Sequence, residues 1–198
     1  TLGSWTLGTG AGANTLTVSA PSFISATVSA TGLADSATSL TISAGDSQSA
    51  TVNTDASIAP AALVADQYGN PVAGVSVTFA VASGGGSLTS GSQTTDASGV
   101  ATVGSWTLGS TAGANTLTAS ASGLGSVTFN ATGTADSATS LTLVAGDNQS
   151  ATVDTAVSTA PAVLASYQYG NPVAGVPLTF AVATGGGLGN GFAQTTNA

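Results

Sequence analysis

Large apolar residues alternate with small or hydroxyl-bearing residues in several short segments of this chain. In the segment 75–82, Val75, Val77, Phe79 and Val81 are separated by Ser, Thr or Ala. A period of two is typical of a strand that packs one face on a core and turns the other toward water. No segment has the period near 3.6 that an amphipathic helix requires. The pattern therefore predicts strands throughout.

Turn-forming residues separate these segments at intervals of roughly 8 to 12 residues. Three such clusters are Ala44-Gly45-Asp46, Tyr68-Gly69-Asn70-Pro71 and Asp96-Ala97-Ser98-Gly99. Short strands at this spacing predict an all-β antiparallel sandwich. We interpret the run Gly84-Gly85-Gly86 as a flexible connection.

One segment breaks the alternation, because Val103 and Trp106 are three residues apart and Gly104 lies between them. An interior glycine with such a phase shift predicts a β-bulge that turns Trp106 into the core. For the Trp residues the alternative is an exposed platform on which sugars stack. The aromatic residues that we predict in the core are Trp5, Trp106, Phe79, Phe129 and Phe180.

The whole pattern recurs after 101 residues, without insertion or deletion. Gly3 to Gly8 returns as Gly104 to Gly109, and residues 1–97 match residues 102–198 at 64 of 97 positions. A period this long exceeds the roughly 20 to 50 residues of solenoid units. Each period is therefore expected to form a small domain of its own.

The phase of the repeat divides the chain into three parts. We predict the last strands of a partial domain in residues 1–33, a complete domain in 34–134, and the first strands of another partial domain in 135–198. Residue 198 matches residue 97 and residue 1 matches residue 102, so two full periods would need four more residues. We expect the partial domains to be continued, or to be completed by a neighbouring copy. The short junctions favour a stiff, extended string.

Composition excludes several classes of function. The chain has eight Asp and no Lys, Arg, His or Cys, and 4% of its residues are charged. Without a cation it has no electrostatic footprint for nucleic acid, and without Cys or His it has no thiol nucleophile, imidazole base or disulfide. No apolar run approaches the ~20 residues of a spanning helix, so membrane insertion is not expected.

Three blocks together identify a family. They are residues 65–79, which include Tyr68-Gly69-Asn70-Pro71-Val72, then Thr95-Asp96-Ala97-Ser98-Gly99, then Ala114-Asn115-Thr116-Leu117-Thr118. Their sequence and spacing resemble the bacterial immunoglobulin-like repeats of the invasin and intimin type. The resemblance implies tandem immunoglobulin-like β-sandwiches of about 101 residues, in a rod that projects an adhesive tip or packs into a fibre at the bacterial cell surface. Such repeats usually carry no catalysis.

Three hypotheses for function follow. The first is a non-catalytic structural repeat of an extracellular fibre or adhesin stalk, whose partners are neighbouring copies of the same domain. The second is a module that binds a receptor or glycan. The third is a filament subunit in which residues 1–33 complete residues 135–198 of a neighbouring chain, because a half-sandwich leaves strand edges and core exposed.

Carboxylates near the predicted junctions offer one candidate metal site. Asp35 and Asp46 recur as Asp136 and Asp147 in the next period. Calcium takes six to eight oxygen ligands, which one or two Asp can supply only with help from carbonyls and water. The dense Asp-x-Asp-x-Asp pattern of a calcium loop is absent. The alternatives are therefore solvated turn carboxylates with no cofactor, or an interdomain calcium site.

Overall fold

The computed structural model describes residues 3–187 and 192–197, and these residues form sixteen strands. In chain order the strands are β1 (Gly12–Val18), β2 (Ala26–Gly32), β3 (Ser39–Ala44), β4 (Gln48–Thr51), β5 (Ala61–Ala65), β6 (Ser76–Ser83), β7 (Ser87–Thr89), β8 (Ser92–Thr94), β9 (Val100–Thr102), β10 (Ser105–Thr107), β11 (Gly113–Ala121), β12 (Gly125–Thr134), β13 (Ser140–Ala145), β14 (Ala162–Ser166), β15 (Pro177–Thr179) and β16 (Ala193–Thr195). The described residues include no helix that is long and apolar enough to cross a membrane.

Strands β3 to β12 build one complete sandwich. One sheet has the order β4-β12-β11-β6-β8, the facing sheet has the order β3-β5-β9, and β7 pairs with β10 in a separate ribbon. Apart from the β4–β12 pair, which is parallel, the strand pairs in this sandwich are antiparallel. The predicted all-β sandwich is confirmed.

The first strand of this sandwich is divided between the two sheets. β3 lies in the three-stranded sheet and β4 in the five-stranded sheet, and the chain crosses between them at Gly45. Gly45 has φ of 82°, and a Cβ there would lie 2.7 Å from the Cα of Pro60. The side chain of Gln48 secures the crossing, since its Nε2 donates to the carbonyl of Gly45 at 2.9 Å and to that of Ile58 at 2.7 Å. This crossing places β4 beside β12.

Gly104 marks a similar crossing rather than the expected bulge. β9 pairs with β5, whereas β10 pairs with β7, so the chain leaves one sheet at Val103 and Gly104 and joins another. A Cβ on Gly104 would lie 2.5 Å from Oγ1 of Thr89, which explains the glycine. The phase shift in the sequence therefore reports a change of sheet. Trp106, just beyond it, is fully buried.

The core lies between the sheets of the complete sandwich. Its largest fully buried side chains include Trp106, Phe129, Leu108 and Leu117, and the ring of Phe79 lies 6.1 Å from that of Phe129. Burying a side chain of this size contributes roughly 1.5–3 kcal/mol.

The glycine run at 84–86 packs closely, which differs from the flexible connection that its sequence indicates. All three glycines have φ near +80° to +90°. A Cβ on Gly84 would lie 2.5 Å from Oδ1 of Asn115, and a Cβ on Gly86 would overlap the carbonyl oxygen of Thr107. Glycine is needed here because the backbone of this run lies too close to the backbone of neighbouring segments to leave room for a Cβ atom.

The flanking strands repeat parts of the complete sandwich. β1 and β2 correspond to β11 and β12, and β13, β14, β15 and β16 correspond to β3, β5, β6 and β8, in that order. When its residue numbers are shifted by 101, each of these flanking strands falls within the range of its counterpart. Apolar residues that the complete sandwich buries are more exposed in these strands: Val28 is 48% exposed whereas its counterpart Phe129 is buried. Trp5 and Phe180, two of the predicted core residues, are half-buried. The division at 33/34 and 134/135 stays a prediction.

Candidate functional site at the repeat junctions

A tight turn between β5 and β6 carries the side chain that reaches the preceding repeat. The amide of Asp66 donates to the carbonyl of Asn70 at 2.9 Å, and the amide of Gly69 donates to the carbonyl of Asp66 at 3.1 Å. Gly69 has φ of 83°, a left-handed conformation in which glycine carries no steric penalty. Pro71 then leads the chain away, with its fixed φ. The turn holds Asn70 at one end of the complete sandwich.

The carboxylate of Asp66 stabilises this turn by accepting hydrogen bonds from it. Its Oδ1 accepts the amides of Tyr68 at 2.8 Å and Asn70 at 2.9 Å, and its Oδ2 accepts the amide of Asp35 and Nδ2 of Asn70 at 2.9 and 2.8 Å. Asp66 is 3% exposed. Burial raises the pKa of this carboxyl, but the hydrogen bonds from the Asn70 side chain and from the three amides outweigh it and lower the pKa to about 2. Asp66 is therefore charged at neutral pH.

The side-chain amide of Asn70 makes two hydrogen bonds to the backbone of the preceding repeat. Nδ2 donates to the carbonyl of Thr9 at 2.8 Å, and Oδ1 accepts the amide of Ala11 at 2.7 Å. Two bonds to residues two apart fix the direction of the loop as well as its distance. We call this paired contact the asparagine clamp.

The same clamp forms at the second junction. Nδ2 of Asn171 donates to the carbonyl of Ser110 at 2.8 Å, and its Oδ1 accepts the amide of Ala112 at 2.7 Å. Asn171 is 4% exposed. Asn115 stabilises the loop 110–112 that Asn171 contacts, because its Oδ1 accepts the amide of the neighbouring Gly109 at 3.0 Å. Both clamps thus join equivalent residues with equal distances.

The support beneath the clamp differs between the two junctions. Tyr167 replaces Asp66, and its ring packs edge-on against Tyr169 at a centroid distance of 5.6 Å and an angle of 78°. The hydroxyl of Tyr169 accepts a hydrogen bond from Nδ2 of Asn53 at 2.9 Å, 116 residues earlier in the chain. The second junction therefore has a side-chain contact across it in place of a buried carboxylate.

The four predicted calcium ligands are dispersed among local contacts. Asp35 accepts the amide of Ser36 at 2.7 Å, and Asp136 accepts that of Ser137 at 2.7 Å. In the remaining two turns, Oδ1 of Asp46 accepts the amide of Asn130 at 2.7 Å, and Oδ2 of Asp147 accepts Nδ2 of Asn148 at 2.9 Å. The described part of the chain holds no group of three or more acidic residues that could bind a metal ion. The two alternatives, solvated turn carboxylates and an interdomain calcium site, both stay predictions.

The sequence predicts the turn at Asn70 but not the contact that its side chain makes. The available signal is the unchanged recurrence of Tyr68-Gly69-Asn70-Pro71 as Tyr169-Gly170-Asn171-Pro172, although Asp66, two residues before Tyr68, becomes Tyr167. A turn alone tolerates several residues at the position of Asn70. Only the fold brings this turn to the loop 9–11 of the preceding repeat.

The comparisons with known structures agree with this architecture. The structure of FdeC, described as a broadly conserved Escherichia coli adhesin, matches 89% of this chain and 58% of its own chain, with 22% identity and a TM-score of 0.52. The fold is similar to that of this bacterial adhesin. The predicted immunoglobulin-like fold, and the resemblance to bacterial immunoglobulin-like adhesin domains, are confirmed at the level of the fold.

Two further structures match more weakly. Yersinia pseudotuberculosis InvD matches 87% of this chain and 55% of its own, with 15% identity and a TM-score of 0.49. The D0-D1 domain of intimin matches 81% of this chain and 79% of its own, with 22% identity and a TM-score of 0.38. No protein-family model matches the chain, and no curated protein matches it. The chain spans little more than half the length of the FdeC and InvD chains.

Proposed function

We propose that this chain is a non-catalytic structural repeat of an extracellular fibre or adhesin stalk at a bacterial surface. The observation that carries the proposal is the asparagine clamp, which recurs at both junctions with the same atoms and distances. A fold similar to that of a bacterial adhesin supports the surface location. Repeats joined in one fixed way form an extended rod rather than a flexible string.

The strength of the clamp suits this role. A hydrogen bond contributes about 0.5–1.5 kcal/mol net, so two bonds give each junction roughly 1–3 kcal/mol. That free energy favours the joined arrangement over a loose one by a factor of about 5 to 150. The clamp uses backbone carbonyl and amide groups as partners, so it depends little on salt.

The residue inventory agrees with a passive role. A chain without His, Cys, Lys or Arg has no imidazole base, no thiol nucleophile and no cationic side chain to stabilise a transition state. Its surface is hydrated mainly by hydroxyl and amide groups.

Small-angle X-ray scattering of the full chain tests the rod. The wild type is expected to give the maximum dimension of an extended particle, and the double variant Asn70→Ala/Asn171→Ala a broader distribution with a shorter mean dimension. Asn130→Ala is the matched control, since Asn130 is exposed on β12 and contacts only its own sandwich. Identical scattering from the wild type and the double variant would contradict the proposal.

A second candidate is a filament subunit whose partial sandwich is completed by strands of another copy. The strands β14 to β16 and the segments next to them border an open cavity of about 1090 Å³, whose apolar lining includes Leu164, Leu178, Phe180 and Phe192. In the complete sandwich, Leu117 of β11 and Phe129 of β12 belong to one buried cluster with Val77 and Phe79, which are the counterparts of Leu178 and Phe180. The equivalent residues of a second copy are Leu16 of β1 and Val28 of β2.

Sedimentation velocity of the full chain at increasing concentration tests this second candidate. Head-to-tail association of 18.5 kDa units is expected for the wild type. Val28→Asp should abolish it, because a carboxylate would enter the apolar cavity. Thr27→Asp is the control, since Thr27 is exposed and corresponds to the exposed Thr128. A monomer at every concentration would rule the candidate out.

A further inference from the structure

The first and last strands of the complete sandwich lie side by side and run in the same direction. Gln48 to Thr51 of β4 pair in register with Ala131 to Thr134 of β12. The amide of Val52 continues the ladder by donating to the carbonyl of Thr134 at 3.0 Å. This is the one parallel pair among the described strands.

The junction contacts show where force would enter and leave this sandwich. The chain enters the complete sandwich beside Asp35, whose amide donates to Asp66. Asp66 lies in the turn whose Asn70 contacts the preceding repeat. It leaves after Thr134, next to Val52 and Asn53, and Asn53 contacts the following repeat. Entry and exit are therefore at opposite ends of the sandwich.

Tension along the chain then pulls β4 toward the entry and β12 toward the exit. Because the two strands are parallel, the opposing forces act at opposite ends of the pair and slide one strand along the other. The evenly spaced bonds of a parallel ladder share such a load, whereas two strands pulled from the same end lose their bonds one at a time.

We propose that the β4–β12 pair is a load-bearing contact that resists forced unfolding of each repeat. The inference rests on the proposed stalk function, since a stalk or fibre transmits tension through its repeats. It adds a mechanical function that the sandwich fold by itself does not require.

Side chains reinforce this contact at both ends. At the entry end, Oδ1 of Asp46 accepts the amide of Asn130 at 2.7 Å, one residue before the ladder begins. At the exit end, Oγ1 of Thr134 donates to the carbonyl of Ala50 at 3.3 Å. The hydrogen bond from the Asn130 amide is the main cause that lowers the pKa of Asp46, so its carboxylate is charged at neutral pH.

The next period keeps the same elements in its sequence. Asp147 stands in the place of Asp46, and the residues of β4 recur unchanged as Gln149-Ser150-Ala151-Thr152. The next period therefore preserves the sequence of the strand that would bear the load.

Pulling the complete sandwich in two directions tests the proposal on the full chain. The chain has no cysteine, so introduced cysteines give unique handles for single-molecule force measurements. Handles at Ser36→Cys and Ser137→Cys load the β4–β12 pair by sliding, whereas handles at Thr54→Cys and Ser137→Cys pull both strands from the exit end. The first geometry is expected to unfold at the higher force. Equal forces in the two geometries would overturn the proposal.

Two carboxylate variants then separate load from stability. Asp46→Ala is expected to unfold about threefold faster than the wild type at fixed end-to-end force, from the loss of one net hydrogen bond. Asp96→Ala is the matched control, since Asp96 accepts the amides of Ser98 and Val100 at 2.8 and 3.0 Å in a turn outside the β4–β12 pair. It should lower equilibrium stability but leave the unfolding rate under load unchanged.

Thr134→Val provides a second variant that keeps the shape of the side chain while removing its hydrogen bond, and it too should unfold faster under load. If Asp96→Ala accelerates unfolding under load as much as Asp46→Ala, the load is not borne by β4 and β12. That result would leave the stalk function intact, because scattering from the Asn70→Ala/Asn171→Ala variant tests the junctions and not the sandwich.

Discussion

The two junctions make the same contact but support it in different ways. At the first junction, the side chain of Asn70 donates a hydrogen bond to the buried carboxylate of Asp66. At the second junction, Tyr167 replaces Asp66, so Asn171 has no such carboxylate. The second junction instead gains the hydrogen bond between Tyr169 and Asn53. The clamp itself is therefore the common element, and its support can be electrostatic or can come from a second contact across the junction.

Removing the carboxylate of Asp66 should have the largest effect, and only at the first junction. In Asp66→Ala, four N–H groups lose their acceptor, including Nδ2 of Asn70. We expect the amide of Ala11 to exchange its hydrogen about tenfold faster or more, as hydrogen bonds to charged groups are the stronger class. The amide of Ala112, at the second junction, is the internal control and should not change. Unchanged exchange at Ala11 would show that the carboxylate does not support the clamp.

Acid should reproduce part of that effect at one junction only. The pKa of Asp66 is lowered from 3.8 to about 2, so its contribution to stability is complete above pH 3.8 and is lost as the pH falls through 2. Amide resonances of Ala11 and Ala112 followed by NMR from pH 5 downward provide the measurement. Ala11 is expected to shift with a midpoint near pH 2 while Ala112 stays constant. A common midpoint for both amides would contradict the assignment.

The hydroxyl of Tyr169 should have a smaller effect. Tyr169→Phe removes the acceptor for Nδ2 of Asn53, which lowers the free energy of unfolding of the joined repeats by about 1 kcal/mol. Denaturant unfolding of the full chain measures it. Tyr68→Phe is the matched control, because the described residues show no hydrogen bond to the Tyr68 hydroxyl. Equal effects of the two substitutions would show that the hydrogen bond between Tyr169 and Asn53 does not stabilise the junction.

Calcium is expected to have the smallest effect, namely none. The carboxylates of Asp35 and Asp46 already accept N–H groups of their own surroundings, and a cation would have to displace these donors. The melting temperature of the full chain should therefore be the same with millimolar calcium and with a chelator. A clear rise with calcium would instead support the interdomain metal site.

The sequence predicts the strands and the sandwich well because alternation and turn residues are local signals. It predicts the burial of Trp106 but assigns it to a bulge, since a period of two cannot distinguish a bulge from a strand that changes sheets. It predicts a loose connection at Gly84, whereas the glycine is needed for a close approach to Asn115 that is distant in sequence.

The junction contact is the part that the sequence alone does not reveal. Asn70 lies 59 residues after Ala11, and the partner atoms are backbone groups that carry no sequence signature. The four Asp residues attract attention as charged groups in a nearly uncharged chain, yet the residue that joins the repeats is a neutral amide. Its signal is an unchanged asparagine in a turn where other residues would also serve.

We propose that the asparagine clamp fixes how consecutive repeats are oriented. The most direct test places spin labels at Thr128→Cys and Thr142→Cys, two exposed positions on either side of the second junction, and measures the distance distribution between them. A narrow distribution is expected with Asn171 present, and a clearly broader one in Asn171→Ala. Distributions of the same width in both proteins would contradict it.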